Sequence, residues 1–180
     1  GGRMWLETEP NKGSTFFFSI PLALGPDEPK NLSAALPELA GQRLLVVEDY
    51  APNREILARF TKPLGMIPHA VATATEALAH AQLEKVHLVV LDLDLPGSDA
   101  PELARRLGQL PGGQSRPLIL LSSARIRTND PRFAGLDVRA VIAKPIRHSQ
   151  ILSALKRIAH PEAQDEQAPA GFHAFDRDEP

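Results

Sequence analysis

Five short apolar runs, each followed by a stretch with helical spacing, limit this chain more than any other feature does. "RLLVVE" (43–48), "IPHAVA" (67–72), "VHLVVLD" (86–92), "PLILLS" (117–122) and "VRAVIA" (138–143) read as strands. The first, third and fourth are apolar almost throughout, without the in–out alternation of a half-solvated strand, so both faces of their sheet must be covered. Between them, "PNREILARFTKPLG" (52–65), "ATEALAHAQLE" (74–84) and "APELARRLGQL" (100–110) carry apolar residues at helical intervals, and "SQILSALKRIA" (149–159) closes the series with Ser149 near its start. Thr73 or Thr75 and Asp99 are the expected helix caps. Pro131 interrupts any helix across 125–135, the weakest of the crossovers. Strands alternating with helices predict an α/β domain with a parallel sheet wound on both sides.

Residues ahead of this pattern read differently. "RMWLE" and "TFFFSIPL" flank turn residues Pro10, Asn11 and Gly13, which predicts a hairpin over 1–22. A lone hairpin is marginal in water, so it is expected to belong to a larger sheet. The Pro-rich stretch 23–41 reads as a linker, 42–159 as the α/β domain, and the acid- and Pro-rich stretch 160–180 as a disordered tail. The chain opens without an initiator Met and reads as part of a longer protein.

In a parallel sheet, ligands gather beyond the carboxyl ends of the strands. The first strand ends in Glu48 and Asp49, the third in Asp92, the fourth in Ser122 and Ser123, and the fifth in Ala143, Lys144 and Pro145. Carboxylates so grouped repel one another unless a cation sits among them. Mg2+ is the hard cation that takes one or two carboxylates and still admits a phosphate oxygen. A carboxylate at such a site can attack phosphorus and form an acyl phosphate, with a lysine and a hydroxyl meeting the phosphoryl oxygens. Asp49, Asp92, Ser122 and Lys144 suit these roles. The Asp92-Leu93-Asp94 sequence leaves two candidate nucleophiles at this level.

Other classes find little support. Net charge is −2, with 20 basic and 22 acidic residues, which gives no electrostatic case for nucleic acid or an anionic membrane. The absence of cysteine excludes disulfides, thiolate metal sites and cysteine nucleophiles. No stretch has the length and apolarity of a membrane span, and no signal peptide is evident. The expectation is a cytoplasmic chain, with any membrane anchor left to the parent protein. Gly13 in "NKGST" lacks P-loop spacing, and Phe16, Phe17 and Phe18 have no interleaved basic residues.

The stretches "LLVVEDYAPNR", "LVVLDLDLPGSDAPEL", "PLILLSSA" and "VIAKPI" together resemble the receiver domain of two-component response regulators. The resemblance implies a flavodoxin-like (βα)5 fold of strand order 2-1-3-4-5, which sets Asp49 beside Asp92. It further implies that Asp92 is the phosphoacceptor, using Mg2+ held by Asp49, Asp92 and the Asp94 carbonyl. Glu48 would hold a metal-bound water. Ser122 and Lys144 would contact the phosphoryl group, with Lys144 presented by a cis bond to Pro145. The Asp94 side chain becomes a solvent-facing neighbour whose charge tunes acyl-phosphate lifetime. Three positions depart from the family: Ala100 replaces a usual Gly, Val141 a frequent aromatic, and Pro131 weakens the fourth crossover helix.

The hairpin "GGRMWLETEPNKGSTFFFSIPL" resembles the closing strands of the ATP-binding domain of sensor histidine kinases. Together the two resemblances imply a hybrid histidine kinase. Its partners would be a kinase core, its own or separate, and a histidine phosphotransfer protein docking beside the first helix. The nucleotide-binding boxes are absent, and none of the six His residues lies in a kinase phosphorylation pattern. The only expected catalysis is therefore transfer to Asp92 and its autodephosphorylation. Two alternatives stand beside this reading: a non-phosphorylated interaction module of the same fold, and a haloacid-dehalogenase-type phosphatase using the Asp-x-Asp sequence.

Overall fold

In the computed structural model, which describes residues 2–10, 12–22, 36–113 and 116–161, the chain divides into two units, 1–30 and 31–180. The expectations for 23–35 and 162–180 lie outside the described residues.

The first unit is a hairpin of β1 (Arg3–Glu9) and β2 (Gly13–Ser19), paired antiparallel. Gly13 takes φ of +104°, a value that favours a residue without Cβ where the turn ends. Register places Met4 opposite Phe18 and Leu6 opposite Phe16 on one face; Trp5 stacks on Phe17 on the other at 5.1 Å. Met4, Leu6, Phe16 and Phe18 are all exposed.

The second unit holds a five-stranded parallel sheet of β3 (Arg43–Val47), β4 (Ile67–Val71), β5 (Leu88–Asp92), β6 (Leu118–Ser122) and β7 (Val138–Ala143), in the order β4-β3-β5-β6-β7. That is the expected 2-1-3-4-5 order. Alternation along each strand separates two cores. Leu44, Val46, Val90, Ile119 and Leu121 face α1 (Ala51–Thr61) and α4 (His148–Ala159), which supply Leu57, Ile151 and Leu155. Leu45, Val47, Val89, Leu91 and Leu120 face α2 (Ala74–Leu83) and α3 (Ala100–Gln109), which supply Ala77, Leu103 and Leu107. Both faces are thus covered, as continuous apolar strands require.

Helices α2 and α3 begin where their caps predict. Thr73 accepts from the Glu76 N–H while Glu76 accepts from the Thr73 N–H, a capping box, and Asp99 accepts from the Glu102 N–H. Helix α1 stops short of its expected end at 65. Pro63 cannot donate to the helical ladder, so 62–64 tighten into a 3₁₀ turn that ends at Gly65 with φ of +77°. The fourth crossover forms a single 3₁₀ turn, Pro131–Phe133, opened by Asp130 accepting from the Arg132 N–H. Buried Phe133 holds that turn in the core on the α2 and α3 side of the sheet. Leu36 and Leu39, in the stretch read as linker, are also buried, in the core beneath α1 and α4.

Candidate functional site

The register of β3, β5, β6 and β7 ends four strands on one rim. Val47 pairs with Leu91 and Asp92 with Leu121, so Glu48, Asp49 and Asp92 leave adjacent strands together. Their carboxylate oxygens come within 4.8 Å of one another. Glu48 and Asp92 are fully buried, whereas Asp49 is exposed. On the next strands Ser122 is buried, and the Lys144 N–H donates to the Ser122 carbonyl at 2.9 Å. Lys144 is followed by a cis bond to Pro145.

Both oxygens of Asp92 have partners. Oδ1 accepts from the Asp94 N–H at 3.1 Å and Oδ2 from Lys144 Nζ at 2.7 Å. Lys144 also lies 3.3 Å from Glu48 Oε2, but without hydrogen-bond geometry, so this buried oxygen has no donor. Glu48 Oε1 accepts from the Tyr50 N–H. Burial, then the charge of Asp92, pushes the Glu48 carboxyl above its ordinary range, against the pull of Tyr50, Lys144 and Asn53. For Lys144, burial acts downward, but the bond to Asp92 and the charges of Asp92 and Glu48 outweigh it and raise the ammonium.

An orphaned buried carboxylate oxygen beside two further carboxylates is the donor set a hard divalent cation satisfies. Mg2+ fits Glu48, Asp49 and Asp92, and the cation would supply charge neutralisation at phosphate oxygens.

Three contacts were not foreseen from the sequence. Arg54, in the first turn of α1, donates through one nitrogen to the carbonyls of Glu48 at 2.8 Å and Asp49 at 2.6 Å, fixing the acidic loop. Asn53, one residue earlier, lies near enough to the Glu48 carboxylate to favour its ionised form. The signal for both was their place one turn after the acids in "EDYAPNR". The third is a correction. The Asp94 side chain is exposed, yet it does more than face solvent: Oδ2 accepts from the Ser123 N–H at 3.0 Å. The Ser123 hydroxyl, then its N–H and the charge of Lys144, lower the Asp94 carboxyl despite some burial. Ser122 Oγ accepts from the Ala124 N–H at 3.1 Å, which leaves its own proton to donate.

The family model for the response regulator receiver domain matches residues 44–156. Among curated relatives, the sensor histidine kinase AruS of Pseudomonas aeruginosa is 30% identical over 163 residues, covering 88% of this chain and 16% of its own. The autoinducer 2 sensor kinase/phosphatase LuxQ of Vibrio vulnificus is 30% identical over 155 residues, covering 83% and 18%. The chain thus spans under a fifth of the length of either relative. Among solved structures, chemotaxis protein CheY4 of Vibrio cholerae matches with a TM-score of 0.61 at 19% identity, over 66% of this chain and 99% of its own. The receiver domain of sensor histidine kinase PA1611 from Pseudomonas aeruginosa matches with a TM-score of 0.57 at 23% identity, over 67% and 98%; that structure holds a magnesium ion in its active site cleft. Among the described residues here, no helix is long and apolar enough to cross a membrane.

Proposed function

Because the chain belongs to the response regulator receiver family, we propose that it takes a phosphoryl group from a phosphohistidine onto Asp92 with Mg2+ bound at Glu48, Asp49 and Asp92. Receiver domains of this kind in sensor kinases take phosphate from histidine kinase components. The observation that carries the assignment is the bond between Lys144 and Asp92 Oδ2 beside two further carboxylates at the end of the sheet. A surface lysine and a loop aspartate would have no need of that buried convergence.

In this reading an Asp92 oxygen attacks phosphorus, the P–N bond to the donor imidazole breaks, and the leaving nitrogen takes up a proton. Asp49, exposed at the rim, buried Glu48 and the Asp94 carbonyl would hold the cation together with Asp92. When bound, the cation would supply charge neutralisation at the phosphoryl oxygens. Lys144 releases Asp92 Oδ2 and pairs with a phosphoryl oxygen, while the Ser122 hydroxyl donates to another. The phosphoryl group carries about −2 where the carboxylate carried one charge, and this change shifts the balance between two arrangements of the rim. The donor is a kinase core, and the next carrier a histidine phosphotransfer protein docking beside α1. The hairpin's likeness to the end of a kinase ATP-binding domain, and the kinase relatives, support a hybrid-kinase parent in the cytoplasm.

Intact-protein mass after incubation with Mg2+ and acetyl phosphate tests the assignment. Wild type gains one phosphoryl group, Asp92→Asn gains none, and EDTA abolishes the gain. Lys144→Ala still gains the group but loses the conformational response. Absence of modification at every Mg2+ concentration would overturn the assignment in favour of a docking module that keeps the fold.

A further inference from the structure

We propose that the Asp94 carboxylate is an internal competitor of the phosphoryl group, occupying the Ser123 N–H that a phosphoryl oxygen on Asp92 would otherwise take. The inference rests on the phosphoacceptor reading of Asp92 and names a device within that site.

A phosphoryl group brings three acceptor oxygens to the Asp92 carboxylate and needs donors for them. Four stand on this rim. The Asp94 N–H and Lys144 Nζ already address the two Asp92 oxygens, at 3.1 and 2.7 Å. The Ser122 hydroxyl accepts from the Ala124 N–H and so has its proton to give. The fourth, the N–H of Ser123 on the same loop, is held by Asp94 Oδ2 at 3.0 Å. One side chain two residues from the acceptor therefore ties down the loop that must close on the product.

The competition is electrostatic as well as steric. A carboxylate is the strong form of acceptor, and its bonds to N–H groups are charge-assisted. Asp94 also feels the charge of Lys144, the cation that the phosphoryl oxygens would share. Once the Asp92 carboxylate, with its single charge, has become an acyl phosphate of about −2, the two anions repel more strongly. Asp94 is exposed and can swing into water without leaving a buried charge behind. The loop 122–124 thus has two discrete anchors, Asp94 before transfer and the phosphoryl group after it, which makes it the bistable element of a switch. Val141, half-buried on β7, supplies no ring to take that part.

Beryllium fluoride, a phosphoryl mimic that binds a carboxylate without group transfer, tests this with Mg2+ on the full chain, read by 15N–1H spectra that follow the Ser123 amide. Loss of a charge-assisted competitor predicts that Asp94→Ala binds the mimic about tenfold more tightly than wild type. Asp94→Asn, which keeps a neutral acceptor in the same shape, falls between them and guards against a folding defect. The Ser123 resonance differs among the three chains when unloaded and converges when loaded, a signature a merely structural role would not produce. Equal or weaker binding by Asp94→Ala, with wild type still binding, overturns the competitor. Failure of all three folded chains to bind the mimic overturns the phosphoacceptor reading itself, and the competitor with it.

Discussion

Glu48 is fully buried beside Asp92, with one oxygen on the Tyr50 N–H and the other without a donor. Burial first, and Asp92 second, raise its carboxyl above the ordinary range. For an acid this sign means that the ionised form is disfavoured in the folded chain. The penalty is absent below the unfolded pKa and grows as pH rises through the folded one. At neutral pH without a cation, Glu48 therefore opposes folding, and a divalent ion relieves it. Glu48→Gln is expected to raise the melting temperature by a few degrees in EDTA at pH 7, and to reduce the further rise that Mg2+ gives wild type, both read by circular dichroism. A lower melting temperature in EDTA would show that attraction to Lys144 outweighs burial. This residue, Asp49, Asp92 and Lys144 were legible because each ends an apolar strand, and the backbone alone brings strand ends together. The bonds of Asp94 to Ser123 and of Arg54 to two carbonyls were not, because they depend on where a side chain points from a loop or first helical turn.

Strand β4 lies at an edge of the sheet, bonded to β3 alone, and meets α2 through a stack of His69 on His80 at 3.7 Å. Glu84 beyond the end of α2 and Arg43 on β3 are the other charged groups acting on His80. Burial first, then His69, lowers the His80 imidazole from its ordinary 6.5; Arg43 adds to this and Glu84 opposes it. As pH falls, the unfolded chain takes up this proton before the folded one does. Stability from the neutral ring is full above 6.5 and is lost as pH drops from there to the folded value. Melting temperature between pH 7.5 and 5.5, a range spanning the ordinary histidine pKa, is expected to fall more steeply for wild type than for His80→Gln. Parallel slopes would assign the loss elsewhere, for example to His87, whose imidazole burial also lowers. At this scale the sequence spoke clearly where caps and apolar spacing agreed, as at Thr73 and Asp99. It was silent on how a crossover lacking a helix would close, since Phe133 anchors the Pro131–Phe133 turn through a contact far away in the chain.

The extent of the folded body is a property of the whole molecule, and composition alone misplaces it. The prolines of 23–41 mark a linker, yet Leu36 and Leu39 keep only 1% and 4% of their surface exposed. A 3₁₀ turn at Pro37–Leu39 brings both into the core shared by β3, α1 and α4. The Gly41 N–H then bonds the Gly65 carbonyl at 2.9 Å, and the Ile67 N–H bonds Gln42 at 2.8 Å, so the entering chain is stitched to the start of β4. Burying one leucine is worth about 1.5–3 kcal/mol, and the chain-ordering cost offsets part of the sum for two. A chain beginning at Leu36 and one beginning at Gln42 both lack the hairpin and differ only in this turn. Urea unfolding of the pair is expected to show the shorter chain less stable by about 3 kcal/mol, seen as a lower midpoint at a similar slope. Equal midpoints would mean that the two leucines cover the core without holding it, and that the body begins at Gln42. A lower midpoint means that the folded body begins at Leu36, with the Pro37–Leu39 turn as part of the core beneath the sheet.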